Sequence, residues 1–441
     1  MKDLLLFAFL LAGAAAGEPP PNVLLILADD MGVGDLAAFN GGRNRTPNLD
    51  RLAAEGLVFD QAWSASPVCA PARAALLTGR YPHRTGVVSL TLDKEPELTR
   101  LKSDETTLAD LFADHGHVTG LVGKWHTGLG TGYGPVARGF QEVAVFHGSD
   151  GGGYTRYVLH EDDAMTAKPK PQDVYLTDEL NRRAVAFVRR HADRPFFLHL
   201  AHYVPHRPLE APQAIVEPYL QAGLDRDTAT VYAMIEIMDR GLGELFAEID
   251  RLGLRERTLV IFSSDNGPDP LVAPRFNHGL RGGKYEVHEG GIRVPFLVRW
   301  PGVIQPGRTQ TPVHFTDVLP TLVEVCALRH EPRLPLDGRS FAPLLRGGET
   351  PSAPPRFWQW NRHEPNYTHN AAMRDGPWKL VKPFVTKNKI AGDSEVPHAL
   401  YRLDEDPAES TDLAAREPER VQQMRAALDA WSAEVEKDRQ R

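Results

Sequence analysis

Short apolar, β-branched runs alternate with amphipathic stretches along most of the chain. NVLLILADD (Asn22–Asp30), HVTGLVGKWH (His117–His126), PFFLHLAHYVPH (Pro195–His206), TLVIFSSDNG (Thr258–Gly267) and IRVPFLVRWPG (Ile292–Gly302) read as buried strands. Thr177–His191 and Thr228–Leu252 read as helices, the second with apolar residues at helical spacing. The alternation predicts an α/β fold built on a large, mostly parallel β-sheet sandwiched by helices. Pro and Gly thicken from Pro332 to Pro355, marking a hinge into a smaller C-terminal α+β unit. There PWKLVKP and ALYRLDEDP read as strands of a short antiparallel sheet. Val421, Met424, Leu428, Trp431 and Val435 form the packing stripe of a final helix.

The formal net charge is -8, and no basic run or Lys/Arg stripe interrupts the pattern, which argues against nucleic acid as a partner. The opening MKDLLLFAFLLAGAAAGEPPPN has one early lysine, an apolar core from Leu4 to Leu11 and small residues from Ala14 to Gly17. That is the pattern of a signal peptide, with cleavage expected after Ala16 and export to the periplasm or the extracellular space. No other run is apolar and long enough for a membrane helix. Export allows disulfides, and Cys69 could pair with Cys326, but Cys326 lies in the apolar run VLPTLVEVCAL and reads as a core thiol. Sequons stand at Asn44 and Asn366.

Chemically capable side chains gather where the apolar runs stop. Asp29 and Asp30 follow the first, Lys124 and His126 the second, His206 the third, Asp265 and Asn266 the fourth. In open parallel sheets ligands bind outside the carboxyl ends of the strands, so four strands would deliver these groups to one rim. Three carboxylates and an amide oxygen there call for a hard cation, calcium or magnesium. Lys124 and His126 would share one face if the strand reaches that far. Lys284 lies in RGGKYEVHEGG, a Gly-rich loop where backbone and lysine can approach an anion. His83, His199, His202 and His288 read as core or surface histidines.

Cys69 opens SPVCAPARAALLTGR, and Pro71 suits the first turn of a helix beginning there. A thiol at that mouth, one turn below Arg73, is expected to be acidified and reactive. Yet sulfur is a poor ligand for a hard cation, so the unmodified cysteine fits its neighbours badly.

CAPAR followed by ALLTGR resembles the C-x-P-x-R signature of the type I sulfatases, the formylglycine-dependent, arylsulfatase-like members of the alkaline-phosphatase superfamily. LADDMGVGD, GKWH, VPHRPLEAP, FSSDNG, RGGKYEVHEGGIRVPFLVRWPG and LYRLDEDPAESTDLA resemble the family's other motifs, covering nearly the whole mature chain. GFQ at 139–141 stands where GFD is commoner. The resemblance implies a catalytic domain at 17–335 after the leader at 1–16, and a smaller domain at 336–441. It implies that Cys69 is oxidised to formylglycine by a maturation enzyme, and that Asp29, Asp30, Asp265, Asn266 and the modified Cys69 hold one divalent cation, calcium. Arg73, Lys124 and Lys284 would position the nucleophile and the sulfuryl oxygens, His206 or Lys284 would protonate the leaving alcohol, and His126 would release sulfate from a covalent sulfo-enzyme. The expected substrate is a sulfated small molecule or, preferably, a saccharide, with HGSDGGGY (147–154) and FWQWNRHEPNYTHN (357–370) as pocket walls. A phosphomonoesterase or phosphonate hydrolase of the same superfamily is the rival reading, and a non-catalytic glycan-binding relative a more distant one.

Overall fold

The computed structural model describes residues 20–90, 94–148, 152–270, 272, 275–383 and 396–441, so the leader lies outside the described residues. Among these, eight strands form one sheet in the order Gly307–Thr309, Leu57–Phe59, Phe296–Arg299, Thr258–Ser264, Asn22–Ala28, Phe196–Ala201, Val118–Lys124 and Glu142–Phe146. Every neighbouring pair is parallel except those of Phe296–Arg299, which runs against both of its partners. The reversal follows from the connection. Between Ser264 and Phe296 the described residues hold one short helical turn, Glu289–Ile292, and no long helix that would cross over the sheet face, as a parallel neighbour usually has.

Both faces of the sheet are covered, which is why the strands read as unbroken apolar runs. Val23, Leu25 and Leu27 point into one core with Leu121, Phe197 and Ile261, beneath the helices Cys69–Thr78, Leu108–Asp114 and Val318–Val325. Leu24 and Ile26 point the other way, with Leu198, Leu200, Val260 and Phe262, beneath Leu176–Arg190 and Arg226–Arg251. Phe341 and Leu345 still belong to the first core, so the chain leaves the large layer only after Leu345.

The strands Arg356–Gln359, Ala371–Asp375, Trp378–Lys382 and Ala399–Arg402 form an antiparallel sheet. Its outer face receives Met424, Leu428, Trp431 and Val435 of the helix Pro418–Gln440, as their spacing requires. Its inner face packs Trp358, Ala372, Val381 and Tyr401 against Trp63, Val287 and Ile292 of the large unit. The small sheet is therefore pressed onto the loop that carries Lys284. No helix among the described residues is long and apolar enough to cross a membrane.

Candidate active site

Parallel strands end on one edge, and register decides which side chains meet there. Ala28 lies beside Ser264, so Asp29 and Asp265 emerge as neighbours. The Asp265 amide donates to the Ala28 carbonyl at 3.1 Å, and the Asp29 amide to the Val204 carbonyl at 2.9 Å. Asp30 takes a left-handed backbone conformation, φ 63°, costly for a non-glycine residue and of the kind that gathers at functional sites. Its carboxylate accepts from Asn266 Nδ2 at 2.7 Å, and its amide donates to Asp265 Oδ1 at 3.2 Å.

Cys69 is the first residue of its helix, after an extended Val68. Its Sγ lies 3.5 Å from Asp29 Oδ1. One turn on, Arg73 donates from Nε and Nη2 to Asp265 Oδ2 at 2.9 and 2.8 Å, and from Nη1 to the Lys124 carbonyl at 3.2 Å. Lys124 Nζ reaches Asp29 Oδ2 at 2.5 Å, and Lys284 Nζ reaches Asp30 Oδ2 at 2.7 Å. His206 Nε2 is 3.7 Å from that same Asp30 oxygen. Eight of the residues singled out from sequence (Asp29, Asp30, Asp265, Cys69, Arg73, Lys124, Lys284 and His206) thus interlock through the three aspartates, with Asn266 a ninth.

His126 arrives by a different route from the one expected. The strand ends at Lys124, so the two residues do not share a strand face; His126 instead turns into the site with φ 62°. Its Nε2 lies 3.4 Å from the Leu90 carbonyl, and its buried Nδ1 has no partner. Gly148 lies against the ring, where a Cβ would stand 2.5 Å from Nε2. His206 is held by a ring stack on Tyr203 (4.7 Å between centroids), and its Nδ1 donates to the Arg207 carbonyl at 2.7 Å. In a neutral ring that bond leaves Nε2 as the acceptor. Tyr154 pins this loop by donating to the Tyr203 and His206 carbonyls at 2.8 and 2.9 Å.

The expectation of an acidified thiol is overturned. Cys69 is 1 % exposed, and burial pushes its thiol far above the ordinary range, outweighing Lys124 and Lys284, which pull the other way. The helix mouth is simply too dry for an unshared thiolate. Burial also holds His206 down to about 3, assisted by Lys284, and His126 well below its usual value, assisted by Lys124 and Arg73. Lys284 stays above its ordinary value despite burial because Asp30 faces it. Asp265 is pushed up to about 6 by burial and by neighbouring Asp29.

Carboxylate repulsion, the sequence-based argument for a cation, is likewise answered differently: Arg73, Lys124 and Lys284 already face the three aspartates. What fits an ion here is the donor set. Ligand atoms of Asp29, Asp30, Cys69 and His206 lie within 4.8 Å of one another, and Asn266 Oδ1 is buried beside them without a hydrogen-bond partner. Oxygen donors dominate, and an orphaned amide oxygen is what a hard cation would satisfy.

Two devices fix the Lys284 loop, and the sequence reading assigned neither. Asn370 accepts from the Val287 amide at 3.1 Å and donates to the Tyr285 and Trp360 carbonyls, both at 2.7 Å. Lys379, from the small sheet and wholly buried, meets Glu289 Oε1 at 2.8 Å and Glu409 Oε1 at 3.0 Å. A lysine inside the apolar run of PWKLVKP was the available signal. Gly291 allows the loop to close, since a Cβ there would stand 1.9 Å from the Glu286 carbonyl.

Other residues fall outside the site. His83 contacts Gln359 Oε1 at 2.9 Å, His199 contacts the Leu25 carbonyl at 3.1 Å, His202 is buried, and His288 sits 3.3 Å from Glu409. Cys69 and Cys326 are both free thiols. Asn44 is buried, its amide donating to the Asp35 carbonyl at 2.6 Å, which leaves no room for a glycan. Of the expected 147–154 wall, residues 149–151 lie outside the described residues.

A family model described as Sulfatase matches residues 21–327, and one described as N-sulphoglucosamine sulphohydrolase, C-terminal, matches residues 277–437. Arylsulfatase A of Bos taurus is 33% identical over 457 residues, covering 94% of this chain and 87% of that protein. N-acetylgalactosamine-6-sulfatase of Homo sapiens is 30% identical over 445 residues, covering 91% and 83%. The crystal structure of Ps i-CgsB in complex with k-i-k-neocarrahexaose is similar at a TM-score of 0.80 and 30% identity, covering 94% of this chain and 93% of that one.

Proposed function

The chain belongs to the sulfatase family and is a sulfuric ester hydrolase; from that premise we propose that it desulfates a saccharide with formylglycine, made from Cys69, as nucleophile. The observation that carries this reading is the seating of Cys69 Sγ 3.5 Å from Asp29, within the ring of Arg73, Lys124 and Lys284. A thiol so buried is a poor nucleophile, and its conversion removes that defect. Hydrated formylglycine supplies two hydroxyls on one carbon: one to attack sulfur, the other to expel sulfate once deprotonated. Asp29, Asp30, Asp265, Asn266 and the modified Cys69 would hold one divalent ion, calcium, which would supply positive charge beside the nucleophile.

The side chains do the rest. Arg73, doubly bonded to Asp265, fixes the carboxylate that borders the nucleophile. Lys124 and Lys284 offer fixed positive charge to the sulfuryl oxygens as the ester bond breaks, in a site that excludes most water. Lys284, its ammonium turned toward Asp30 Oδ2, gives a proton to the departing alcohol; His206, whose neutral Nε2 is an acceptor facing the same oxygen, takes that role only once protonated. His126, neutral and with an unpartnered Nδ1, takes the proton of the second hydroxyl. The saccharide preference is supported by the relatives: one is named for a sulfated amino sugar, and the other was crystallised with a neocarrahexaose. The leader predicts export, and a maturation enzyme would install formylglycine.

The test is the intact mass of the tryptic peptide containing Cys69, together with sulfate release from an aryl sulfate and phosphate release from its phosphate counterpart. Oxygen in place of sulfur and preference for the sulfate are expected. An unmodified thiol in active enzyme sinks the nucleophile, and faster phosphate release sinks the substrate class.

A further inference from the structure

Beyond the strand Arg356–Gln359 the chain makes a tight loop that leans on the Lys284 segment. Buried asparagines hold it from both sides. Asn361 Nδ2 donates to the Arg362 and Glu364 carbonyls at 2.6 and 2.8 Å, while Asn370 Nδ2 ties the Trp360 carbonyl to that of Tyr285. Trp360 is 2 % exposed and packs with Val68, the residue before Cys69, and with Tyr285, the residue after Lys284. Its ring lies 5.5 Å from that of Tyr285. Yet its indole N–H is buried without a hydrogen-bond acceptor.

Arg362 follows two residues later. Its guanidinium stands 5.9 Å from the Tyr285 ring centroid, and Lys284 Nζ stands 5.7 Å from the same centroid. Among the described residues no carboxylate pairs with Arg362. Most arginines around the site are committed: Arg73 to Asp265, Arg207 to Asp269, Arg275 to Asp35. A half-buried arginine whose backbone is held by its loop, paired with no carboxylate among the described residues and one aromatic ring away from Lys284, is suited to oxygen anions. An unsatisfied indole N–H nearby would otherwise be a cost without return.

We propose that Arg362, assisted by the Trp360 indole N–H, forms a subsite for a second anionic group on the substrate, so that the enzyme prefers saccharides carrying another sulfate or a carboxylate beside the scissile ester. The proposal rests on the sulfatase reading above and narrows its substrate class. Both acidic groups present the same forked oxygens to a guanidinium.

The test uses inhibition of aryl sulfate turnover, so it does not depend on which ester the enzyme cleaves. Matched sugars are compared: a neocarrabiose bearing one sulfate against two, and N-acetylgalactosamine 6-sulfate alone against the same sugar joined to glucuronate. In the wild type at least one two-anion sugar is expected to inhibit ten or more times better than its partner, and the responding pair identifies the anion. Arg362→Ala should collapse that ratio to within about twofold, and Arg362→Lys should restore part of it, with unchanged thermal unfolding certifying the fold. Equal inhibition by both members of both pairs, or a ratio that survives Arg362→Ala, overturns the subsite alone. Failure of the wild type to release sulfate from any ester overturns the reading beneath it.

Discussion

Replacing Lys379 with methionine should expose how strongly the small sheet governs the active-site loop. The ammonium is wholly buried and meets Glu289 Oε1 at 2.8 Å and Glu409 Oε1 at 3.0 Å. Glu289 also accepts from Trp63 Nε1 at 3.0 Å, and its own amide donates to Glu409 Oε2 at 2.7 Å. Removing the lysine leaves two buried carboxylates close together, with Arg293 at 3.5 Å from Glu289 and the more distant Arg374 as the remaining fixed positive charges on Glu289. Breaking a buried ion pair by deleting one partner costs roughly 3–5 kcal/mol, mostly as uncompensated charge. Because Glu289 sits five residues after Lys284, aryl sulfate turnover should fall about tenfold or more as the loop loosens.

The pH dependence is a sharper check. Burial alone would raise Glu289, but Lys379, with Arg293 and Arg374, brings it down to about 2. A depressed carboxylate contributes stability that is present above its unfolded value and lost as pH falls toward the folded one, here from roughly 4.5 to about 2. The Lys379→Met protein lacks most of that contribution, so its deficit should be largest at pH 7 and narrow below pH 4.5. Chemical denaturation at the two pH values measures this. Lys379→Met with Glu289→Gln and Glu409→Gln should recover about half of the loss, since neutral amides keep hydrogen bonds without the charge. A single-variant cost under about 1 kcal/mol, or a triple variant no more stable than the single, would refute the reasoning.

Other expectations concern the site itself. Cys69→Ala should abolish sulfate release while thermal unfolding stays near that of the wild type; retained turnover removes Cys69 as nucleophile. Asp30→Asn should lower bound divalent metal in elemental analysis and cut kcat/KM by at least about a hundredfold, as expected when a buried ligand loses its charge; full metal content would place the ion elsewhere. Gly148→Ala puts a methyl where His126 Nε2 now lies 2.5 Å away, so kcat should drop about tenfold or more with KM little changed, and an unaltered kcat would mean that His126 is not a catalytic base.

The alternation of apolar runs and helical stretches determined the layered α/β architecture, because each strand must bury both faces and each helix one stripe. The signal Cys-x-Pro-x-Arg and the acids after the strand ends were equally local, and sequence alone placed Asp29, Asp30, Asp265 and Asn266 on one rim. Three matters were decided only by tertiary structure. The charge state of Cys69 depends on how much water reaches it, which spacing along the chain does not record. The approach of His126 depends on where its strand stops and on the room left by Gly148. The Lys284 loop is held by Asn370, Lys379 and Glu409, each more than eighty residues downstream; the apolar run around Lys379 could mark it as unusual, but no local pattern could name what it holds. Sequence names the groups that end each strand. Packing decides which distant side chains hold them still, because burial and ion pairing are properties of surfaces brought together.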